Sequence, residues 1–168
     1  YKKLNFQQSN LKLLESNFEV TIIDSPDDDN DDLLKKQVIC FAPLGFYFDT
    51  KKISKMDKLR IICTNTTSTP HIDINAASER GISIISLKNE INFLETITPT
   101  AEHTWGLMLA LMRNIPRAFN SVKNGEWSRW PYGSPKMLSR MSIGIVGLGR
   151  IGKMVAKYAK AFDMNVKY

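Results

Sequence analysis

The sequence predicts an α/β protein in which parallel strands alternate with helices, continued into a second α/β region at its end. Three observations predict it. Short apolar runs and amphipathic runs alternate along the first ninety residues. The runs at 38–42, 59–64 and 82–85 are apolar almost throughout, the mark of strands covered on both faces. A strand, a glycine-rich turn, a helix and a second strand then follow in order over 141–168. Parallel neighbours need a crossover, usually a helix, so this alternation places helices on both faces of a sheet.

The elements can be justified in order. Residues 4–16 set Leu4, Leu11 and Leu14 among polar neighbours at helical spacing. Residues 18–23 are an apolar, β-branched run closed by Asp24-Ser25-Pro26, which predicts a strand and a turn. The acidic block Asp27-Asp28-Asp29-Asn30-Asp31-Asp32 precedes Leu33, Leu34 and Lys36. Carboxylates suit the cap and first turn of a helix, where the dipole is positive, and this reading is preferred to metal binding. No metal site is expected. Strands follow at 38–42, 59–64 and 82–85, with helices at 51–58 and 72–80, the latter stopped by Gly81.

Residues 88–98 read as a mixed connector. Pro99-Thr100-Ala101-Glu102 opens a helix expected to run to about Val122, with proline and an acid in its first turn. From Trp105 to Met112 it is apolar nearly all round, as in helices buried between domains or subunits. Residues 123–139 hold two Trp, two Pro and two Gly, and read as a loop lying over another surface.

Composition excludes several classes. A chain of 168 residues with 43% hydrophobic and 24% charged residues is ordinary globular material. Its longest uncharged apolar stretch, Trp105 to Met112, falls far short of the roughly 20 residues of a membrane span. No basic-then-apolar leader opens the chain, so neither membrane anchor nor signal peptide is expected. The first residue is Tyr1, and Tyr168 sits inside an alternating run, so both ends read as cut. Cys40 and Cys63 lie in apolar stretches outside any C-x-x-C pair, as core thiols of a reducing, cytoplasmic compartment do. The net charge of +6 comes from scattered lysines without an aromatic-laced basic stripe, so no nucleic-acid partner is expected.

Chemistry is carried by the last 28 residues. Met141-Ser142-Ile143-Gly144-Ile145-Val146 reads as a strand and leads into Gly147-Leu148-Gly149-Arg150-Ile151-Gly152. Ile151, Met154, Val155, Tyr158, Ala159 and Phe162 then recur at helical spacing, and 164–168 begin a second strand. This context raises the glycine pattern to a dinucleotide-binding signature. Gly147 permits the tight turn, Gly149 lets a pyrophosphate approach the backbone, and Gly152 lets helix and strand pack closely. The helix N-terminus adds free N–H groups and partial positive charge. The acid that holds the ribose hydroxyls is due about 20 positions on. Lys167 and Tyr168 are not acidic and Asp163 comes too early, so NAD and NADP both stay open.

Thr100-Ala101-Glu102-His103-Thr104, the run Ala110-Leu111-Met112-Arg113-Asn114-Ile115-Pro116, Gly125-Glu126-Trp127 and the glycine turn occur in that order. Together they resemble the D-isomer-specific 2-hydroxyacid dehydrogenases, well from about Ile72 onward and mainly in strand–helix rhythm before that. The resemblance implies a flavodoxin-like substrate domain over 1–97 and the start of a Rossmann domain over 98–168, both incomplete. It implies NAD as cofactor, hydride transfer at C2 of a 2-hydroxy or 2-keto acid, and a homodimer formed through the Trp105-to-Met112 helix. Gly147, Gly149, Arg150, Ile151 and Gly152 would hold the pyrophosphate, and Thr100 would add a nucleotide contact.

The same resemblance makes Thr66-Thr67-Ser68-Thr69-Pro70-His71-Ile72-Asp73 the substrate-carboxylate loop, with Thr67, Ser68 and Thr69 as its binding residues. Thr66 and Ser68 stand where the family has glycine, and Pro70 where it has aspartate, so hydroxyls crowd the loop and substrate identity is open. The family's catalytic Arg, Glu and His come later than residue 168. No catalytic residue is therefore assigned, His103 and His71 included, and the chain alone is expected to be inert. A nucleotide-sensing, corepressor-like protein of the same fold is the alternative. A methyltransferase is disfavoured by the turn spacing and the preceding helix.

Overall fold

The computed structural model describes residues 1–2, 5–133 and 135–168. The chain divides into two compact units, Tyr1–Ile91 and Asn92–Tyr168.

The first unit is built on a parallel sheet of β1 (Ile39–Phe41), β2 (Ile61–Cys63) and β3 (Ser83–Ile85), in that spatial order. Ile39 pairs with Ile61 and Ile61 with Ser83, so the three strands run in step. Crossovers carry α3 (Thr50–Ser54) and α4 (Ile74–Glu79). Asp49 caps α3 by accepting from the Lys52 N–H, and Asp73 caps α4 by accepting from the Ala76 N–H. Gly81 leaves α4 with φ +66°, the left-handed conformation expected where a helix stops. Phe48, Ile53, Met56, Leu59 and Ile62 are fully enclosed and form the centre of this core.

The acidic block acts as helix-capping material. Ser25 and Asp28 form a reciprocal capping box, and Asn30 caps α2 (Asp31–Leu34) with Asp31 and Asp32 in its first turn. Asp29 and Asp31 pair with Lys52 and Lys55. Leu4 lies outside the described residues, and α1 spans Gln8–Glu15.

Three expectations are corrected. Residues 18–23 are not in a strand: among the described residues their backbone bonds are the Phe18 N–H to the Leu14 carbonyl and the Lys2 N–H to the Ile23 carbonyl, and Phe18 and Ile22 are exposed. An apolar run becomes a strand only where a ladder partner exists. The connector contains a short helix, α5 (Ile91–Glu95). The long helix is two helices, α6 (Pro99–Met112) and α7 (Ile115–Lys123), separated by Asn114 at φ +54°. Pro116 lacks an N–H and crowds the preceding turn, while Asn tolerates the left-handed conformation, so the break falls there.

The second unit contains α6, α7, β4 (Ser142–Gly144), α8 (Arg150–Ala161) and β5 (Asn165–Lys167). β4 and β5 are parallel, with Ile143 opposite Val166. Ala101 and Trp105 of α6 pack with Val155 and Ala159 of α8, Leu138 and Met164. Within this chain α6 buries only that side, leaving Leu107 59% and Leu111 76% exposed. Trp127 and Trp130 are exposed, so the loop that carries them packs instead through Leu138, which is buried in this core, and through the Tyr132 hydroxyl, which donates to the Arg117 carbonyl; Ser134 within it is not described.

Candidate functional site

The turn after β4 lies between a strand end and a helix start. The Ile145 N–H donates to the Lys167 carbonyl, the last rung before the backbone leaves the sheet. Gly147 then adopts φ +95°, where a side chain is strained. Gly149 is the cap of α8 with ordinary φ, and an added Cβ there would meet nothing within 4 Å. At Gly152 an added Cβ would lie 2.2 Å from the Gly147 carbonyl oxygen and 3.3 Å from Ile145 Cγ2. The three glycines therefore do different things. Gly147 shapes the turn, Gly152 lets the helix close onto it, and Gly149 leaves open space beside the backbone.

Among the described residues, no acceptor takes the N–H groups of Leu148, Gly149, Arg150, Ile151 or Gly152. Unpaired donors at a helix N-terminus form an anion site. The guanidinium of Arg150 points elsewhere: its Nη1 donates to the Leu94 carbonyl at 2.9 Å and the Ile97 carbonyl at 2.8 Å. Thr100 lies exposed in the first turn of α6, its carbonyl accepting the Thr104 hydroxyl at 2.8 Å. His103, in the same turn, is exposed rather than buried.

The loop after β2 belongs to the first unit. The Thr66 hydroxyl donates to the Ser68 carbonyl at 2.5 Å, so the Thr64 hydroxyl, 3.0 Å from Thr66 Oγ1, is the donor of that pair. Thr67 and Ser68 are exposed and Thr69 is half-buried; their N–H groups have no acceptor among the described residues. His71 is 3% exposed and donates from Nε2 to the Ala42 carbonyl at 3.0 Å, leaving Nδ1 buried without a partner among the described residues. The Phe48 N–H donates to the His71 carbonyl, and the Asp73 N–H to the Phe48 carbonyl. This anchoring by His71 was missed from the sequence, because its acceptor lies 29 residues away and no local pattern announces it.

The remaining reactive groups are quiet. Burial pushes the Cys40 thiol up to about 11 and raises that of Cys63, so both stay protonated and poor nucleophiles near neutral pH. Among the described residues, no three His, Cys, Asp or Glu side chains converge as metal ligands, and no helix is long and apolar enough to cross a membrane.

Two family models match the chain. The catalytic domain of the D-isomer specific 2-hydroxyacid dehydrogenases matches residues 1–125, and the NAD binding domain of the same family matches residues 105–168. D-3-phosphoglycerate dehydrogenase of Methanocaldococcus jannaschii is 40% identical over 114 residues, 68% of this chain and 21% of that protein. Glyoxylate reductase of Pyrococcus horikoshii is 29% identical over 170 residues, 94% of this chain and 49% of that protein. The chain thus spans between about a fifth and a half of these relatives. Among solved structures, D-lactate dehydrogenase of Aquifex aeolicus complexed with NAD and lactic acid superposes with a TM-score of 0.79 at 25% identity, over 96% of this chain and 48% of that one. The NAD-dependent formate dehydrogenase of Staphylococcus aureus in complex with NAD gives 0.77 at 26% identity, over 94% of this chain and 47% of that one. With parallel strands, a glycine cradle at a helix start and a catalytic-domain match covering most of its length, the chain belongs to the D-isomer specific 2-hydroxyacid dehydrogenase family.

Proposed function

We propose that the whole protein is an NAD-dependent oxidoreductase acting at C2 of a 2-hydroxy or 2-keto acid. The observation that carries this is the turn after β4, where open space at Gly149 adjoins a row of unpaired N–H groups at the start of α8. Those donors and the helix dipole suit a pyrophosphate. NAD, when bound, accepts or supplies the hydride. Gly147, Gly149, Gly152 and the backbone of Arg150 and Ile151 hold its phosphates, and Thr100 adds a contact. NADP remains open beside it, since the chain shows no ribose-binding acid.

The loop after β2 takes the substrate carboxylate. The N–H groups of Thr67, Ser68 and Thr69 and the exposed hydroxyls of Thr67 and Ser68 supply donors without a full positive charge. The whole protein is expected to oxidise NADH with a 2-keto acid, glyoxylate, pyruvate and 3-phosphohydroxypyruvate being the first to assay. The 168-residue chain alone is expected to show none, and measurable turnover by it would refute its incompleteness as a catalyst. Binding of NADH by the whole protein with no turnover of any keto acid would favour the nucleotide-sensing reading.

The exposed Leu107 and Leu111, one turn apart on α6, are read as part of a homodimer surface. Leu111→Arg is expected to convert a dimer to a monomer in light scattering; a wild-type monomer overturns the reading. Half-buried, unpaired thiols suit a cytoplasmic location.

A further inference from the structure

We propose that the lysine face of α8, formed by Lys153, Lys157 and Lys160, steers the anionic dinucleotide toward the turn after β4, speeding its capture rather than holding it once bound. This rests on the reading of the glycine turn as the nucleotide site.

The chain's positive charge sits in its second unit. The first unit holds twelve Lys and Arg against thirteen Asp and Glu, whereas the second holds eleven against four. No Asp or Glu stands between Glu126 and Asp163, an interval that includes the glycine turn and all of α8. The helices α2 and α6 carry acids in their first turns, and α8 carries none. An acid there would compete with a bound anion for the N–H groups and the dipole.

Lys153, Lys157 and Lys160 follow at spacings of four and three, so they project from one face of α8. All three are exposed, and with Ala156 and Leu148 of the glycine turn they line one shallow concavity. Among the described residues none of the three forms an ion pair. The dinucleotide is the anion that fits, because its site shares this unit while the carboxylate loop belongs to the first.

A helix rises about 1.5 Å per residue, so the lysines stand roughly 4.5 to 15 Å along the axis from the start of α8. Screening decays over about 30 Å at 0.01 M salt and about 8 Å at 0.15 M. In dilute salt all three lysines therefore act on a pyrophosphate nearing the cradle, and at higher salt Lys153 keeps most of the effect. A charge that acts during approach raises the association rate and leaves dissociation to the cradle itself.

Stopped-flow association of NADH with the whole protein, followed by nicotinamide fluorescence, tests this in three triple variants. At about 0.01 M salt, K153Q/K157Q/K160Q is expected to slow association about fivefold, with dissociation within about twofold. K153E/K157E/K160E is expected to slow it by about that factor again. K153R/K157R/K160R keeps the charge and is expected to keep the rate. At about 0.5 M salt all four proteins are expected to agree within about twofold. Unchanged association in dilute salt, a loss carried by dissociation, a loss that persists at high salt, or a slowed arginine variant overturns the proposal. Gly149→Val run alongside keeps failures distinct. If it binds NADH as the wild type does, the nucleotide-site reading fails; if it loses NADH while the glutamine variant associates normally, the steering proposal alone fails.

Discussion

The loop after β2 and the turn after β4 both present unpaired N–H groups beyond a parallel strand, yet opposite devices hold them in place. In the loop, side chains do the holding: Thr64 bonds to Thr66, Thr66 to Ser68, and His71 reaches the Ala42 carbonyl. In the turn, the glycines carry no side chain, and closeness of backbone to backbone does the holding, with Gly152 against the Gly147 carbonyl. The first should be broken by deleting a hydroxyl and the second by adding a methyl. Mutational sensitivity is therefore set by how each backbone is supported, although both proposed ligands are anions.

The largest effect is expected at Gly152. A Cβ there must displace backbone 2.2 Å away, so Gly152→Ala should destabilise the second unit by about 1–3 kcal/mol and abolish NADH binding. Gly149→Val should instead fold normally, since its Cβ meets nothing, and still weaken NADH at least tenfold by filling the cradle. Denaturant unfolding beside fluorescence titration checks both. Equal stability losses at the two glycines would erase the division of labour between them.

A smaller effect is expected in the loop. Thr66→Val keeps the shape and removes one donor and one acceptor, for about 1 kcal/mol. The KM for the keto acid should rise several-fold while NADH affinity stays put. A loss in NADH affinity instead would place Thr66 in the wrong site.

The smallest effect is one of pH. Asp73 ends the loop; the Ala76 N–H and then the Thr50 hydroxyl hold its carboxyl below the ordinary carboxylate range. Its folded value is depressed, so its contribution is complete above the ordinary value near 4 and is lost as pH falls through the folded one. Thermal unfolding should show the first unit losing stability below about pH 4, and Asp73→Asn should flatten that dependence. The turn after β4 has no carboxylate among its hydrogen bonds and should not share the effect. An equal acid response in the second unit would break the comparison.

Much of this was legible in the residues themselves, wherever the physics is local. The parallel strands, the stop at Gly81, the capping use of the acidic block and the strand–turn–helix around Gly147 all depend on neighbours a few positions apart. The break at Asn114 was missed in favour of one long helix, although Pro116 is the local signal that could have placed it.

Other features depended on partners that sequence spacing does not reveal. Residues 18–23 have the composition of a strand and lack a ladder among the described residues. Arg150 reads as a phosphate residue from its motif, yet its side chain is held by two carbonyls of the connector. His71 stands in the carboxylate loop with no role assigned to it from the sequence and is a buried anchor. Backbone geometry and capping follow from short-range sterics and hydrogen bonds, so the sequence by itself determined the strands, the caps and the cradle. Where a long side chain finds its partner depends on which distant backbone groups are left unpaired nearby, and that only the tertiary structure decided.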